Sequence, residues 1–147
     1  MLWWVGPVSD CHITVKELVP IVIAAAIWGH QWRGKRVKVH CDNMAVVYIV
    51  NHGSSKNPDA MHLARCLAFI AAKREFLITA THIKGADNVT ADALSRNRYD
   101  IFRSFHPQAN QEATPVPESI LDSLILSKAD WMSRHWTDRW NSIFKTD

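Results

Sequence analysis

The sequence predicts an α/β fold with a parallel sheet, on three observations. Two short segments read as strands: "KRVKVHC" alternates strictly between apolar and polar, and "FLITATHI" is rich in β-branched residues. Each is flanked by stretches with helical apolar spacing, so residues 13–97 read helix, strand, helix, helix, strand, helix. Helices between strands supply the long crossovers that parallel pairing requires. Two strands do not make a stable sheet alone, so either further strands are missing or this chain needs company.

The elements follow in order. Residues 1–12 are apolar with a Gly-Pro break and resemble the end of something rather than the start of a domain. In "ITVKELVPIVIAAAIWGHQW", Thr14 is placed to cap a helix, and Leu18, Ile21, Val22, Ala25 and Trp28 follow helical spacing. Pro20 falls in the first two turns, so that helix is expected to start late or bend there. In the first strand Val37, Val39 and Cys41 share one face, Lys38 and His40 the other, and Asp42 stands at the C-terminal end. "NMAVVYIVNHG" is a short helix closed by Gly53. After the loop "SSKNP", "DAMHLARCLAFIAAKREF" is a longer amphipathic helix. Its Asp59 lies near the start and Lys73 and Arg74 near the end, as the helix dipole favours. The second strand ends at a Lys-Gly turn, and a helix starts near Asn88.

These elements define a domain over 1–98. Pro107, Pro115 and Pro117, mixed with Gln, Asn and Thr, mark 99–117 as a linker. The tail, 118–147, is helical: Trp136, Trp140 and Phe144 recur every four residues, after Leu121, Leu124 and Ile125. Simple packing onto the domain accounts for these tryptophans.

With 48% apolar residues in 147, a buried core is expected and wholesale disorder is not. The net charge of +3 is uneven: residues 1–98 carry twelve Lys/Arg against seven Asp/Glu, and the rest five against seven. A basic front portion suits a polyanionic partner. Cys11, Cys41 and Cys66 are widely spaced without a CxxC, which argues against a disulfide scaffold or a zinc knuckle. They read as small apolar residues in a reducing compartment. No basic segment leads an apolar stretch at the N-terminus, and the longest apolar run, Leu18 to Trp28, is shorter than a bilayer span. The expectation is a soluble intracellular chain, cytoplasmic or nuclear, with no membrane association.

Three carboxylates carry the chemistry. Functional groups of open α/β sheets gather at the carboxyl ends of strands. Asp42 is at such an end, and Asp92 lies within two turns of the helix after the second strand. Glu17 is in the first turns of the helix leading into the first strand. A loose cluster of carboxylates suits Mg²⁺, which prefers oxygen ligands and keeps several waters. Each position also has a plainer reading. Thr14 and Glu17 match a capping box, Asp42 is placed to cap the following helix, and Asp92 fits a solvated helix face. The eight His do not pair at ligand spacing, and His82 reads as packed or hydrogen-bonded. No Ser-His-Asp arrangement, Gly-rich phosphate loop or nucleophilic Cys context is present.

Together, "ITVKELVPIVIAAAIWGHQWRGKRVKVHCDNMAVVYIVN" and "ITATHIKGADNVTADALSR" resemble the ribonuclease H domain of retrotransposon reverse transcriptases, of the DIRS and Gypsy-like type, over about residues 12–98. The resemblance rests on the Glu of an "EL" helix start, a strand ending "DN", and the long motif running from His82 to Arg96. It implies a ribonuclease H-like fold present in part, a five-stranded sheet of which these would be the last two strands. It implies metal-dependent cleavage of the RNA strand of an RNA–DNA hybrid, with two Mg²⁺ (or Mn²⁺) ions. Glu17, Asp42 and Asp92 match three of the family's four acidic metal-binding positions. The first, an Asp on the family's first strand, lies upstream of this sequence, and Asp10 is in the wrong context to replace it. Ala86 stands where cellular members carry a His.

The resemblance also implies an upstream reverse transcriptase and a downstream recombinase in a parent polyprotein, which the tail would approach. Lys56, Arg65 and Lys84, with Lys35, Arg36, Lys38 and Lys73, become candidates for phosphate contact, and Asn43 and Asn88 for sugar or backbone contact. Plain solvation is the alternative for most of them. A chain that keeps only the hybrid-binding surface, or a decaying element fragment without function, are the other expectations.

Overall fold

In the computed structural model, which describes residues 12–124 and 136–145, the first helix α1 (Ile13–Trp28) opens on His12. The His12 ring Nδ1 accepts from the Thr14 backbone N–H at 3.2 Å. Thr14 is therefore inside the helix and does not cap it. The helix runs unbroken through Pro20 rather than starting after it. Trp28, expected on the apolar face, is 38% exposed, while Val15, Leu18, Val19, Val22, Ala25 and Ala26 are buried. A 3₁₀ turn, Gly29–Trp32, follows. A Cβ on Gly29 would meet the Phe76 ring at 3.1 Å, so this turn needs glycine for close approach. Trp32 then sets its ring edge-on to Phe76 at 5.3 Å.

The strands β1 (Arg36–Cys41) and β2 (Leu77–His82) pair in parallel, with Val37 opposite Ile78, Val39 opposite Ala80 and Cys41 opposite His82. Their crossover consists of α2 (Met44–His52) and α3 (Pro58–Arg74). Gly53 closes α2 at φ 67°, a left-handed position that favours glycine. Pro58, expected at the end of a loop, is the first residue of α3, where its missing N–H costs nothing and Asn57 caps. Glu75 ends α3 in the left-handed region at φ 58°. Among the described residues, the sheet has these two strands only. Val37, Val39, Cys41, Ile78 and Ala80 turn to the helices; Arg36, Lys38, His40, Leu77, Thr79 and Thr81 are exposed on the other face.

Beyond β2, a 3₁₀ turn (Gly85–Asp87) leads into α4 (Val89–Ser95). Residues 99–105, expected as the start of a linker, form α5 (Tyr99–Phe105), because the first proline of that stretch, Pro107, lies after them. The segment 106–117 carries no helix or strand. In the tail, α6 (Glu118–Leu124) and α7 (Trp136–Phe144) contribute Ile120, Leu124, Trp140 and Phe144 to the same core as α1, α2 and α3. The expectations placed on Asp10, Cys11, Ile125 and the Trp136 side chain lie outside the described residues.

The chain is therefore a mixed helix-and-strand protein whose core lies between helices and one face of a small parallel sheet. One stretch among the described residues, Ile13–Trp32, is long and apolar enough to cross a membrane by length and composition, longer than the run expected from Leu18 to Trp28. Its Leu18, Val22 and Ala25 are fully buried within the protein, as in the core helix of a globular domain.

Candidate metal centre

Glu17 is the fifth residue of α1, two positions past the one a capping-box partner occupies. It lies instead over the C-terminal end of β1. Ligand atoms of Glu17, Cys41 and Asp42 all lie within 4.8 Å of one another. The Glu17 Oε2 atom is buried and has no hydrogen-bond partner among the described residues. An unpaired buried carboxylate oxygen is costly, and native structures avoid it unless the site serves a purpose.

Asp42 does not cap α2, since Asn43 does. The Asn43 Oδ1 accepts from the Ala45 N–H at 2.9 Å and the Val46 N–H at 3.3 Å. That leaves the Asp42 carboxylate exposed at the strand end. The turn after β2 closes over it: a Cβ on Gly85 would sit 3.4 Å from Asp42 Oδ2. Both strand ends thus meet at this carboxylate, as parallel pairing through Cys41 and His82 requires.

Cys41, expected as a plain apolar residue, is the third member. Burial pushes its thiol above the usual 9.0, the Asn43 backbone N–H pulls the other way, and the nearby Glu17 and Asp42 add to the rise. At neutral pH it is a protonated thiol, with no nucleophilic character. The one sequence signal for its place was its position on the inward face of β1 directly before Asp42.

Asp92 is not a member of this group. It is the fourth residue of α4, half-exposed, and its Oδ1 accepts from Arg96 Nε at 2.8 Å. Asn88 precedes α4 in the capping position but its side chain makes no capping bond. Lys84 is exposed beside Gly85, Lys56 is exposed in the loop before α3, and Arg65 is exposed midway along α3. Of the candidates for nucleic-acid contact, Asn43 has its carbonyl oxygen committed to the cap.

Glu17 and Asp42 together offer hard oxygen donors at one edge of the sheet, with one oxygen unsatisfied. That donor set fits Mg²⁺ or Mn²⁺; the Cys41 thiol is the softer exception. Comparisons with protein-family models, with curated proteins and with solved structures found no match to this chain.

Proposed function

We propose that the chain is a ribonuclease H-like domain of a retroelement reverse transcriptase, hydrolysing RNA in RNA–DNA hybrids with divalent metal ions. The observation that carries this reading is the grouping of one ligand atom each from Glu17, Asp42 and Cys41 within 4.8 Å of one another, with the Glu17 Oε2 buried and unpartnered among the described residues. It is joined by the three-part sequence resemblance and by the parallel β1–β2 pair that ends at Asp42. Bound at this edge, Mg²⁺ or Mn²⁺ supplies Lewis-acid stabilisation of the scissile phosphate and of the attacking water. Glu17 and Asp42, on two separate elements, would hold the ions. Gly85 admits the turn close to Asp42 and keeps Lys84 beside it, where its ammonium can meet a phosphate. Asp92 would be the remaining acidic ligand; its Oδ1 accepts from Arg96, outside the Glu17–Cys41–Asp42 group.

A second reading has its own observation. Asp92 is held by Arg96 outside the cluster, which suits a catalytically inactive chain that keeps nucleic-acid binding. The two are separated by one assay. Mg²⁺-dependent cleavage of an RNA–DNA hybrid, lost in Asp42→Asn, is expected for the enzyme. Salt-sensitive hybrid binding with no cleavage in Mg²⁺ or Mn²⁺ would replace it with the binder.

A further inference from the structure

The helix that begins two residues after Asp42 presents an exposed row of large side chains. Val46, Val47, Ile49 and Val50 of α2 are buried, yet the opposite side carries Met44, Tyr48 and His52 in one row at four-residue spacing. Met44 is 61% exposed and Tyr48 55% exposed, and His52 is exposed as well. The row is about 12 Å long at the helical rise. Single exposed apolar residues are ordinary, but these three are aligned and start at the candidate metal centre.

The row is also ordered. The Tyr48 and His52 rings stack at 3.9 Å with 16° between planes. The His52 Nδ1–H donates to the Tyr48 carbonyl oxygen at 2.9 Å, which fixes the imidazole against the helix. Two rings held in this way lose little freedom when a third planar group stacks on them. Charge points to the same class of partner. No carboxylate occurs between Asp42 and Asp59, and the exposed Lys56 follows His52 by four residues, in the loop after the helix.

We propose that Met44, Tyr48 and His52 form a stacking platform for a nucleic-acid strand that runs toward Asp42, with Lys56 meeting its phosphates. The row deepens the ribonuclease H-like reading, on which it rests for the identity of the strand. Aromatic faces accept any base, so the platform would hold the strand without selecting sequence. Lys56 would add a salt-dependent contact that likewise carries no sequence information.

The test is fluorescence anisotropy with the full chain, using a labelled RNA–DNA hybrid and a labelled single-stranded oligonucleotide, without metal. Tyr48→Ala is expected to weaken binding of the single-stranded oligonucleotide about five- to hundredfold, since bases stacked inside the hybrid offer no free face. Tyr48→Phe, which keeps the ring, should bind as the wild type does. Lys56→Ala should weaken binding to all sequences and lower the salt slope by about 1. All three side chains are exposed, and an unchanged thermal midpoint verifies that each variant folds. Unchanged affinity in Tyr48→Ala would overturn the platform while leaving Mg²⁺-dependent cleavage free to stand. Ring-dependent binding without any cleavage would keep the platform and remove the enzyme. No binding by the folded wild type would overturn the platform, as would concentration-dependent dimerisation lost in Tyr48→Ala with nucleic-acid affinity unchanged.

Discussion

The Asn51 side chain hydrogen-bonds both backbone groups of Ala80. Its Nδ2 donates to the Ala80 carbonyl oxygen at 2.9 Å, and its Oδ1 accepts from the Ala80 N–H at 2.7 Å. The amides of Leu77 and Ile83 turn the other way, to Lys35 and Cys41. The Ala80 groups therefore face outward from the sheet, and α2 supplies in one carboxamide what a third strand would have supplied. This lets one edge of a two-stranded sheet close without another strand.

Asn51→Ala should destabilise the chain by about 1–3 kcal/mol, because it leaves a partly buried N–H and C=O unpaired on β2. Asn51→Asp keeps an acceptor for the N–H but leaves the carbonyl without a donor, so it should also destabilise. Urea unfolding measures both. Amide exchange at Ala80 should accelerate in Asn51→Ala, and exchange as slow as in the wild type would mean that the edge holds without the side chain.

The tail is part of the core rather than an appendage to it. Trp140 is 1% exposed, and its ring stacks with Phe144 at 6.0 Å. Phe144 in turn lies 6.4 Å from the Phe69 ring and 4.4 Å under the Arg74 guanidinium, both on α3. Trp140→Ala should cost about 3–5 kcal/mol, the range for removing a buried large aromatic. Chemical denaturation measures the loss. A change below about 1 kcal/mol would show that α7 undocks from the domain at little cost.

His62 makes stability depend on pH. It is buried between α3 and α6, with Nε2 3.3 Å from the Ser123 carbonyl oxygen and 3.6 Å from Cys66 Sγ. Burial lowers its pKa below the usual 6.5; the Ser123 carbonyl and Asp59 pull it back up, and Arg65 pushes it further down. Burial also pushes the Cys66 thiol up to about 12, so that neighbour stays neutral. The unfolded chain takes up a proton near pH 6.5 that the folded chain refuses. The stability that His62 contributes is thus complete above 6.5 and lost as pH falls toward the folded value. Urea midpoints at several pH values should drop more steeply below 6.5 in the wild type than in His62→Gln. Parallel curves would assign the acid sensitivity to other groups.

Local patterns carried much of this architecture. The alternation of Val37, Val39 and Cys41 gave the strand and its inward face, and the crossover helices gave the parallel pairing. Gly53 marked a helix end because its φ of 67° excludes most other residues. Non-local pairings were not legible. Asn51 reads as a polar residue near a helix end, and only the packing of α2 on β2 reveals it as an edge partner 29 residues away. Thr14 reads as the cap on α1 because Thr is a preferred N-cap residue, yet His12 takes the position. At the candidate site, Glu17, from the first turns of α1, and Asp42, from the end of β1, lie together, while Cys41 joins them unannounced. Asp92 reads as a cluster member from its place within two turns of the helix after β2 and from its motif, whereas its ion pair with Arg96 at four-residue spacing corresponds to the solvated-face alternative.

Glu17 provides the sharpest test of the site, since stability and metal binding there should move in opposite directions. Its buried Oε2 has no hydrogen-bond partner among the described residues, and a carboxylate oxygen of Glu17 lies within 4.8 Å of one of Asp42. Glu17→Met keeps the length of the side chain and removes the unpaired oxygen. In the absence of metal it should stabilise the chain, by up to about 1–3 kcal/mol if the whole desolvation penalty is recovered. Millimolar Mg²⁺ or Mn²⁺ should raise the thermal midpoint of the wild type, because a ligand that binds only the folded state stabilises it by mass action. It should leave Glu17→Met unmoved. If Glu17→Met is instead less stable without metal, the carboxylate has a structural partner and the orphaned oxygen no longer argues for a cation. If wild type and variant respond equally to the ions, the cations bind elsewhere and the Glu17–Asp42 pair is not their site.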